Sequence, residues 1–336
     1  MSTPATSLPP SPPDELTVRI HRRIDEIEAS HWDALLPDSN PFLRHEFLNA
    51  LESENCLRSD YGWRPHHLTL RDGDQLIGAV PLYLKGNSHG EFVFDWSWAS
   101  AWEQAGHDYY PKLLAAVPYS PVTGPRLLVG PGSDTQMLRR LLVNAMRDQV
   151  DRLALSSVHV NFTTADDSGE LANDGWLARE DTQFHWHNGD WPDFDAFLAA
   201  LSAKKRKNIR HERAQVAQAG VVCTMKHGDA IDDSDWSAIH RLYVSTFEDH
   251  GNMPVLTENF FRRLATAMPK NIIVCECRHG DRLIAMALFL RSENTLYGRY
   301  WGAHVDVPGL HFEACYYQGI DYCLRHGLQS FEPGAQ

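Results

Sequence analysis

No stretch of this 336-residue chain approaches the roughly 20 consecutive apolar residues of a membrane-spanning helix. Positive charge is scarce: 31 Lys and Arg against 44 Asp and Glu give a formal charge of −13. Neutralising a polyanion takes clustered cations, so this balance argues against a DNA-binding protein and confines any nucleic-acid contact to a local patch. The opening residues, MSTPATSLPPSPPDE, lack the basic region and apolar core of a secretory signal and read as a disordered Pro/Ser tail over 1–15. Cysteine is sparse and scattered (Cys56, Cys223, Cys275, Cys277, Cys315, Cys323), which fits free thiols in a reducing cytoplasm. A serine nucleophile elbow, HExxH and a P-loop are all missing.

What is present is a composition of ordinary globular type, 43% hydrophobic and 22% charged, with enough length for two domains. Residues 31–53 give two short helical patterns broken by Pro37 and Pro41. His66 to Leu70 and Leu76 to Leu84 read as strands around an Asp-Gly hairpin. Phe92 to Trp98 alternates like a strand, and Tyr109, Tyr110, Leu113 and Leu114 have helix-like spacing. Strands are expected at 126–129, 158–162 and 182–187, with a helix over 130–150. The second half replays this order. Helical patterns at 235–248 and 255–265 parallel those near Trp32 and Phe42, and 272–290 parallels 67–84, with Arg71 matching Arg278 and Gly73 matching Gly280 at an offset of 207 (280 against 73). Two divergent copies of one unit is the economical reading; chance likeness of two hairpins is the alternative.

The stretch Leu296 to Gln336 carries the densest chemistry. An aromatic strand holds Tyr297, Arg299 and Trp301 on one face. A helix over 310–325 then places Phe312, Tyr316, Ile320 and Cys323 on one side and Glu313, Tyr317 and Asp321 on the other, before Gly327 ends it. This run (LYGRYWGA, LHFEACYYQGIDYC, FEPGAQ), with FVFDWSWASAWEQAGHDYYPKLL at 92–114 and KKRKNIRHERAQVAQAG at 204–220, resembles the Fem-like peptidoglycan biosynthesis/recognition family. That family is grouped with the acyl-CoA N-acyltransferase fold of the GNAT superfamily. The resemblance implies an α/β (α+β) protein of tandem GNAT-like domains, each a mixed, mainly antiparallel sheet flanked by helices: 16–190, a linker and basic helix over 191–220, and 221–336. It also implies a segment beyond FEPGAQ.

The implied activity is transfer of an acyl or aminoacyl group, from acyl-CoA or aminoacyl-tRNA and without a metal, to an amine of a peptidoglycan precursor or peptide. The alternative is a non-catalytic module that recognises such precursors. Glu313, His311 and Tyr317 are the expected catalytic groups, because an attacking amine needs a base within reach. Arg299, Tyr300, Trp301, Gln318 and Glu332 are expected around the substrate, with Asp95, Trp98, Trp102, Tyr109 and Tyr110 as an aromatic platform or else a buried aromatic core. Lys204-Lys205-Arg206-Lys207 with Arg210 and Arg213 form the one dense basic patch, either a solvated charge run or a phosphate site, held by Lys205, Arg206, Arg210 and Arg213, for coenzyme A, a tRNA arm or a lipid-linked pyrophosphate. Gly130-Pro131-Gly132-Ser133 reads as a phosphate loop or a plain capped helix start. His185-x-His187 and Cys275-x-Cys277 each put two metal-ligand types on one strand face, with no sequence partner to complete a tetrahedral set.

Overall fold

The computed structural model describes residues 16–93, 95–132 and 134–334. The tail at 1–15, Phe94 of the aromatic row and Ser133 of the glycine-containing loop lie outside the described residues. The first half runs β1 (Leu16–His21), α1 (Ala29–Asp33), α2 (His45–Ser53), β2 (Trp63–Pro65), β3 (His67–Asp72), β4 (Gln75–Val80) and β5 (Leu82–Lys85). It continues through α3 (Trp96–Gln104), β6 (Lys112–Ala115), β7 (Leu128–Val129), α4 (Thr135–Leu153), β8 (Val158–Val160), α5 (Ala165–Asn173) and β9 (Trp186–His187). The second half runs α6 (Phe194–Ala200), α7 (Ala203–Gln218), β10 (Val221–His227), α8 (Asp233–Asp249), α9 (Glu258–Ala267), β11 (Ile272–His279), β12 (Arg282–Arg291) and β13 (Thr295–Ala303). It ends with α10 (Leu310–Phe312), a π turn at Glu313–Tyr317, α11 (Gln318–His326) and β14 (Ser330–Glu332). The sheets are ordered β1-β3-β4-β7, β2-β5-β6-β8 and β10-β11-β12-β13-β14-β9.

The duplication is written into the register. Leu68 pairs with Val80 as Cys275 pairs with Ala287, and Arg71 opposes Leu76 as Arg278 opposes Leu283, each 207 positions on (275 against 68). A bulge follows Leu70 in one hairpin and Cys277 in the other. Both arginines close their turns alike: Arg71 Nη1 donates to the Asp74 carbonyl at 2.7 Å, and Arg278 Nη1 to the Asp281 carbonyl at 2.9 Å. Each copy ends in a parallel pair, β6 with β8 and β13 with β14, among otherwise antiparallel neighbours. The copies differ at Pro81, which has no N–H to donate and separates β4 from β5. At the matching place β12 continues unbroken, and its pairing with β13 slips between Leu288 and Phe289.

One apolar core is shared by both halves. The Phe47 and Phe260 rings meet edge to face at 5.7 Å, and those of Phe42 and Tyr297 at 5.3 Å. Thr257 Oγ1 donates to the Glu54 carbonyl at 3.1 Å, and Arg263 pairs with the Glu54 carboxylate at 3.0 Å.

Two local expectations are corrected. Phe92 to Trp98 is not a strand: the chain enters α3 at Trp96, where the Ala-containing run WASAWEQ outweighs the two-residue alternation of the aromatics. Tyr109 to Leu114 is not helical, since Pro111 forbids a continuous helix and β6 starts at Lys112. Trp186–His187, on the first-half side of the sequence division, pairs with β14 of the six-stranded sheet.

Candidate functional site

β14 pairs with β13 only between Thr295–Tyr297 and Ser330–Glu332. Beyond that point β13 runs on to Ala303 while the chain after β14 turns away at Pro333 and Gly334, and a cavity of about 350 Å³ fills the opening. Gly298 makes the fork sharp: a Cβ there would lie 2.7 Å from the Pro333 carbonyl oxygen, too close for any side chain. Arg299, Tyr300 and Trp301 form one wall, and His311, Cys315 and Tyr316 from the helical segment after β13 form another. The first half contributes Phe92, Tyr119 and Pro121, so both copies enclose the space.

Phe92 (φ 55°) and Tyr119 (φ 57°) adopt the left-handed backbone region that bulky residues avoid, at a cost of about 1–3 kcal/mol each. Tyr119 is held there by its hydroxyl, which donates to the Cys56 carbonyl at 3.0 Å, and by its N–H, which donates to the Gly90 carbonyl at 3.3 Å. Strained residues of this kind gather where a surface must keep a shape.

The electrostatics of the walls are specific. Arg299 is buried, lies 4.6 Å above the Phe42 ring, and donates to the Glu332 carboxylate at 3.3 Å and to the Gly298 carbonyl at 2.7 Å. Desolvation lowers its pKa and Glu332 opposes that, while its Nε has no hydrogen-bond partner among the described residues. The Tyr300 hydroxyl, pushed well above its ordinary pKa by burial, donates to the Tyr119 carbonyl at 3.4 Å. His311 packs edge-on to Trp301 (5.4 Å) and Tyr316 (5.8 Å). Burial lowers its pKa below 6.5, so the imidazole is neutral at pH 7 with a basic lone pair. Burial pushes the Cys315 thiol up, which keeps it protonated and a poor nucleophile.

Glu313 and Tyr317, expected as catalytic groups, sit on the other side of this helical segment. Glu313 is 5% exposed, accepting from Arg213 Nε at 3.1 Å and from Gln318 Nε2 at 2.7 Å. Burial raises its pKa and the Arg213 charge counters. The Tyr317 hydroxyl donates to Glu212. The reason is plain helical spacing: at about 100° per residue Glu313 lies about 200° around from His311, while Cys315 falls near His311 and Tyr317 near Glu313. His311 and Cys315 thereby face the cavity, and Glu313 and Tyr317 face α7. Gln318 is likewise engaged with Glu313, and Glu332 reaches the site only through Arg299.

Two of the six cations of the basic helix, Arg206 and Arg213, are engaged inside the molecule, while Lys204, Lys205, Lys207 and Arg210 are exposed. Arg206 donates to the Leu198, Ala199 and Leu201 carbonyls at the end of α6 (3.1–3.4 Å), and Arg213 is paired with Glu313. Lys205 is exposed, and Arg210 is exposed with Asp195 at 3.7 Å. The expected shared face of Arg206, Arg210 and Arg213 is thus turned to α6 and the π turn, with Arg210 alone left at the surface.

The aromatic stretch divides as well. Trp98 (63% exposed) and Trp102 (46%) stand on the surface of α3. Asp95 is buried, accepting from Lys112 Nζ and from the Tyr109 hydroxyl, both at 2.7 Å, while Lys112 also binds Glu91 at 2.9 Å. Tyr110 packs on Tyr109. These groups brace the loop between β5 and β6, and it is Phe92 from that loop which reaches the cavity. Sequence reasoning missed Tyr119 and Pro121, for which no motif signals a role, and Cys315, which its i,i+4 spacing from His311 could have found. His185 lies 3.9 Å from Glu332.

Two copies of a mixed sheet, each closing on a parallel strand pair, with a cavity at the fork of the second, define a tandem GNAT-like protein. The chain belongs to the FemAB-like family, described as peptidoglycan biosynthesis/recognition, which it matches over residues 23–336. Among solved structures it is similar to FemX (11% identity, TM-score 0.53, covering 92% of this chain and 88% of that one). It is also similar to the C-terminal DUF2156 domain assigned to a lysylphosphatidylglycerol synthetase of Agrobacterium fabrum (11%, TM-score 0.52, 91% and 78%) and to L-PGS of Bacillus licheniformis (11%, TM-score 0.50, 88% and 75%). At that identity the likeness is one of fold. No curated protein matches the chain. Among the described residues no helix is long and apolar enough to cross a membrane.

Proposed function

We propose that the chain is an N-acyltransferase that passes an acyl or aminoacyl group to an amine of a peptidoglycan precursor or peptide in the cavity between β13 and β14. The observation that carries this is the His311 imidazole on the wall of a cavity about 350 Å³ in size, lined by both copies. His311 takes the proton of the attacking amine as the new N–C bond forms, and the departing thiol or ribose hydroxyl of the donor regains a proton as its bond to the carbonyl carbon breaks. Arg299 supplies positive potential at the wall for the oxyanion of the tetrahedral intermediate. Direct attack needs no covalent enzyme intermediate, in keeping with the protonated Cys315. The donor is an acyl-CoA or an aminoacyl-tRNA, both cytoplasmic; Lys204, Lys205, Lys207 and Arg210 are the basic-helix groups open to its phosphates, or to those of a lipid-linked acceptor. Glu313 acts by holding α7 against the helical segment that carries His311.

The test is turnover and equilibrium binding with coenzyme A thioesters, charged tRNA and muropeptides. His311→Ala should lower kcat by about 100-fold or more with KM little changed, and remove the acid limb that the parent shows below pH 6.5. Wild-type turnover surviving in His311→Ala refutes the assignment of the base. A second reading, a non-catalytic module recognising precursors, is favoured by the exposed Trp98 and Trp102. Muropeptide binding without turnover from either donor class would select it.

A further inference from the structure

The three cysteines that sequence spacing leaves scattered are brought together by strand register. β10 and β11 are antiparallel, and Cys223 lies directly opposite Cys277. Cys275, two residues before Cys277, shares its face. The Sγ atoms of Cys223, Cys275 and Cys277 all lie within 4.8 Å of one another, and those of Cys223 and Cys277 are 3.4 Å apart. Cys275 and Cys277 are fully buried, and Cys223 is half-buried. Cys223, from a strand some fifty residues earlier, adds a third thiol to Cys275-x-Cys277 that sequence spacing does not reveal, one short of a tetrahedral set.

We propose that Cys223, Cys275 and Cys277 bind one zinc ion. Zinc–thiolate bonds of about 2.3 Å in a tetrahedron set sulfurs about 3.8 Å apart, a spacing that the observed separations bracket. A set of three thiols is soft and selects a thiophilic cation over Mg²⁺ or Ca²⁺. Small core hydrophobes would be the plain explanation for buried thiols. The sister copy argues against it: the positions 207 residues before Cys275 and Cys277 are Leu68 and Leu70, and Val18 stands opposite Leu70 as Cys223 stands opposite Cys277. The fold therefore needs no sulfur at these places, yet the second copy has it at all three. Bound there, zinc clamps β10, the end strand of its sheet, to β11.

The measurement is metal content of the full chain purified without chelator or metal-affinity resin, followed by cobalt titration of the chelator-stripped protein under reducing conditions. About one zinc per chain is expected, together with the thiolate-to-cobalt charge-transfer band and the visible bands of tetrahedral cobalt. Zinc should also raise the melting temperature of the stripped protein. Cys277→Ala and Cys223→Ser should each weaken binding by more than about 100-fold, since even outer partners of a ligand cost 10–100-fold. Cys323→Ser, at a buried thiol outside the triad, should bind as the parent does. Far-ultraviolet circular dichroism checks folding, and Cys223, half-buried on an end strand, serves where Cys277→Ala does not fold. A chain that takes up no zinc or cobalt, full binding in a folded Cys223→Ser, or a Cys223–Cys277 disulfide in the isolated protein overturns the proposal.

Discussion

His159 shows how one side chain ties stability to pH. Burial and the nearby Lys112 charge hold its pKa down from 6.5 to about 4, against a weaker opposing effect of Asp95. The unfolded imidazole takes up a proton as pH falls through 6.5, whereas the folded one does so only near 4. Stability that is fully present above pH 6.5 is therefore lost across that window, by up to about 3 kcal/mol. Urea midpoints at pH 7.5 and pH 5 should show the fall, and His159→Gln should flatten it; an equally steep profile in the variant would remove His159 as its cause. Individual side chains were unequally readable from sequence. His311 follows from its place at a helix start, but strand alternation, which sets Tyr297, Arg299 and Trp301 on one face, does not hold: the pairing of β13 slips at Arg299, so Tyr297 and Tyr300 enter the shared core while Trp301 packs on the other face of the sheet. Glu313 lies opposite His311 as helical spacing requires, but that side packs on α7 rather than on the cavity, which no local pattern reveals. Phe92 and Tyr119 owe their positions to positive φ angles, which nothing in their residue type foretells.

Among the elements, the fork between β13 and β14 is the most exacting. Gly298→Ala would place a methyl group 2.7 Å from the Pro333 carbonyl, so backbone has to move. Overpacking of this sort costs about 1–3 kcal/mol. The expected result is a lower melting temperature and weaker ligand binding at the cavity, whereas Gly280→Ala, with open space around its Cβ but φ at +59°, should lose stability without losing ligand affinity. Equal losses of affinity in both variants would show that the fork does not shape the cavity. The hairpins were plain in the sequence because Asp-Gly and its flanking strands are local signals. α3 was not, since aromatics two apart imitate a strand whether or not one forms.

Taken entire, the molecule should unfold as one cooperative body, because its two copies share a core. Phe260→Ala, which empties the space against Phe47, should lower stability by about 3–5 kcal/mol while leaving a single unfolding transition by both fluorescence and circular dichroism. Two separated transitions would mean that the halves melt independently. The constant offset of 207 exposed the duplication, but the way the copies dock rests on contacts hundreds of residues apart, such as Thr257 with Glu54, and those lie beyond any local pattern.

The cavity draws its rim, Phe92 and Tyr119, from one copy, and its imidazole and guanidinium, His311 and Arg299, from the other. On the proposed assignment, selectivity and reactivity are inherited on separate stretches of polypeptide, so changes confined to the β5–β6 loop should alter what the cavity admits while His311 and Arg299 keep their places.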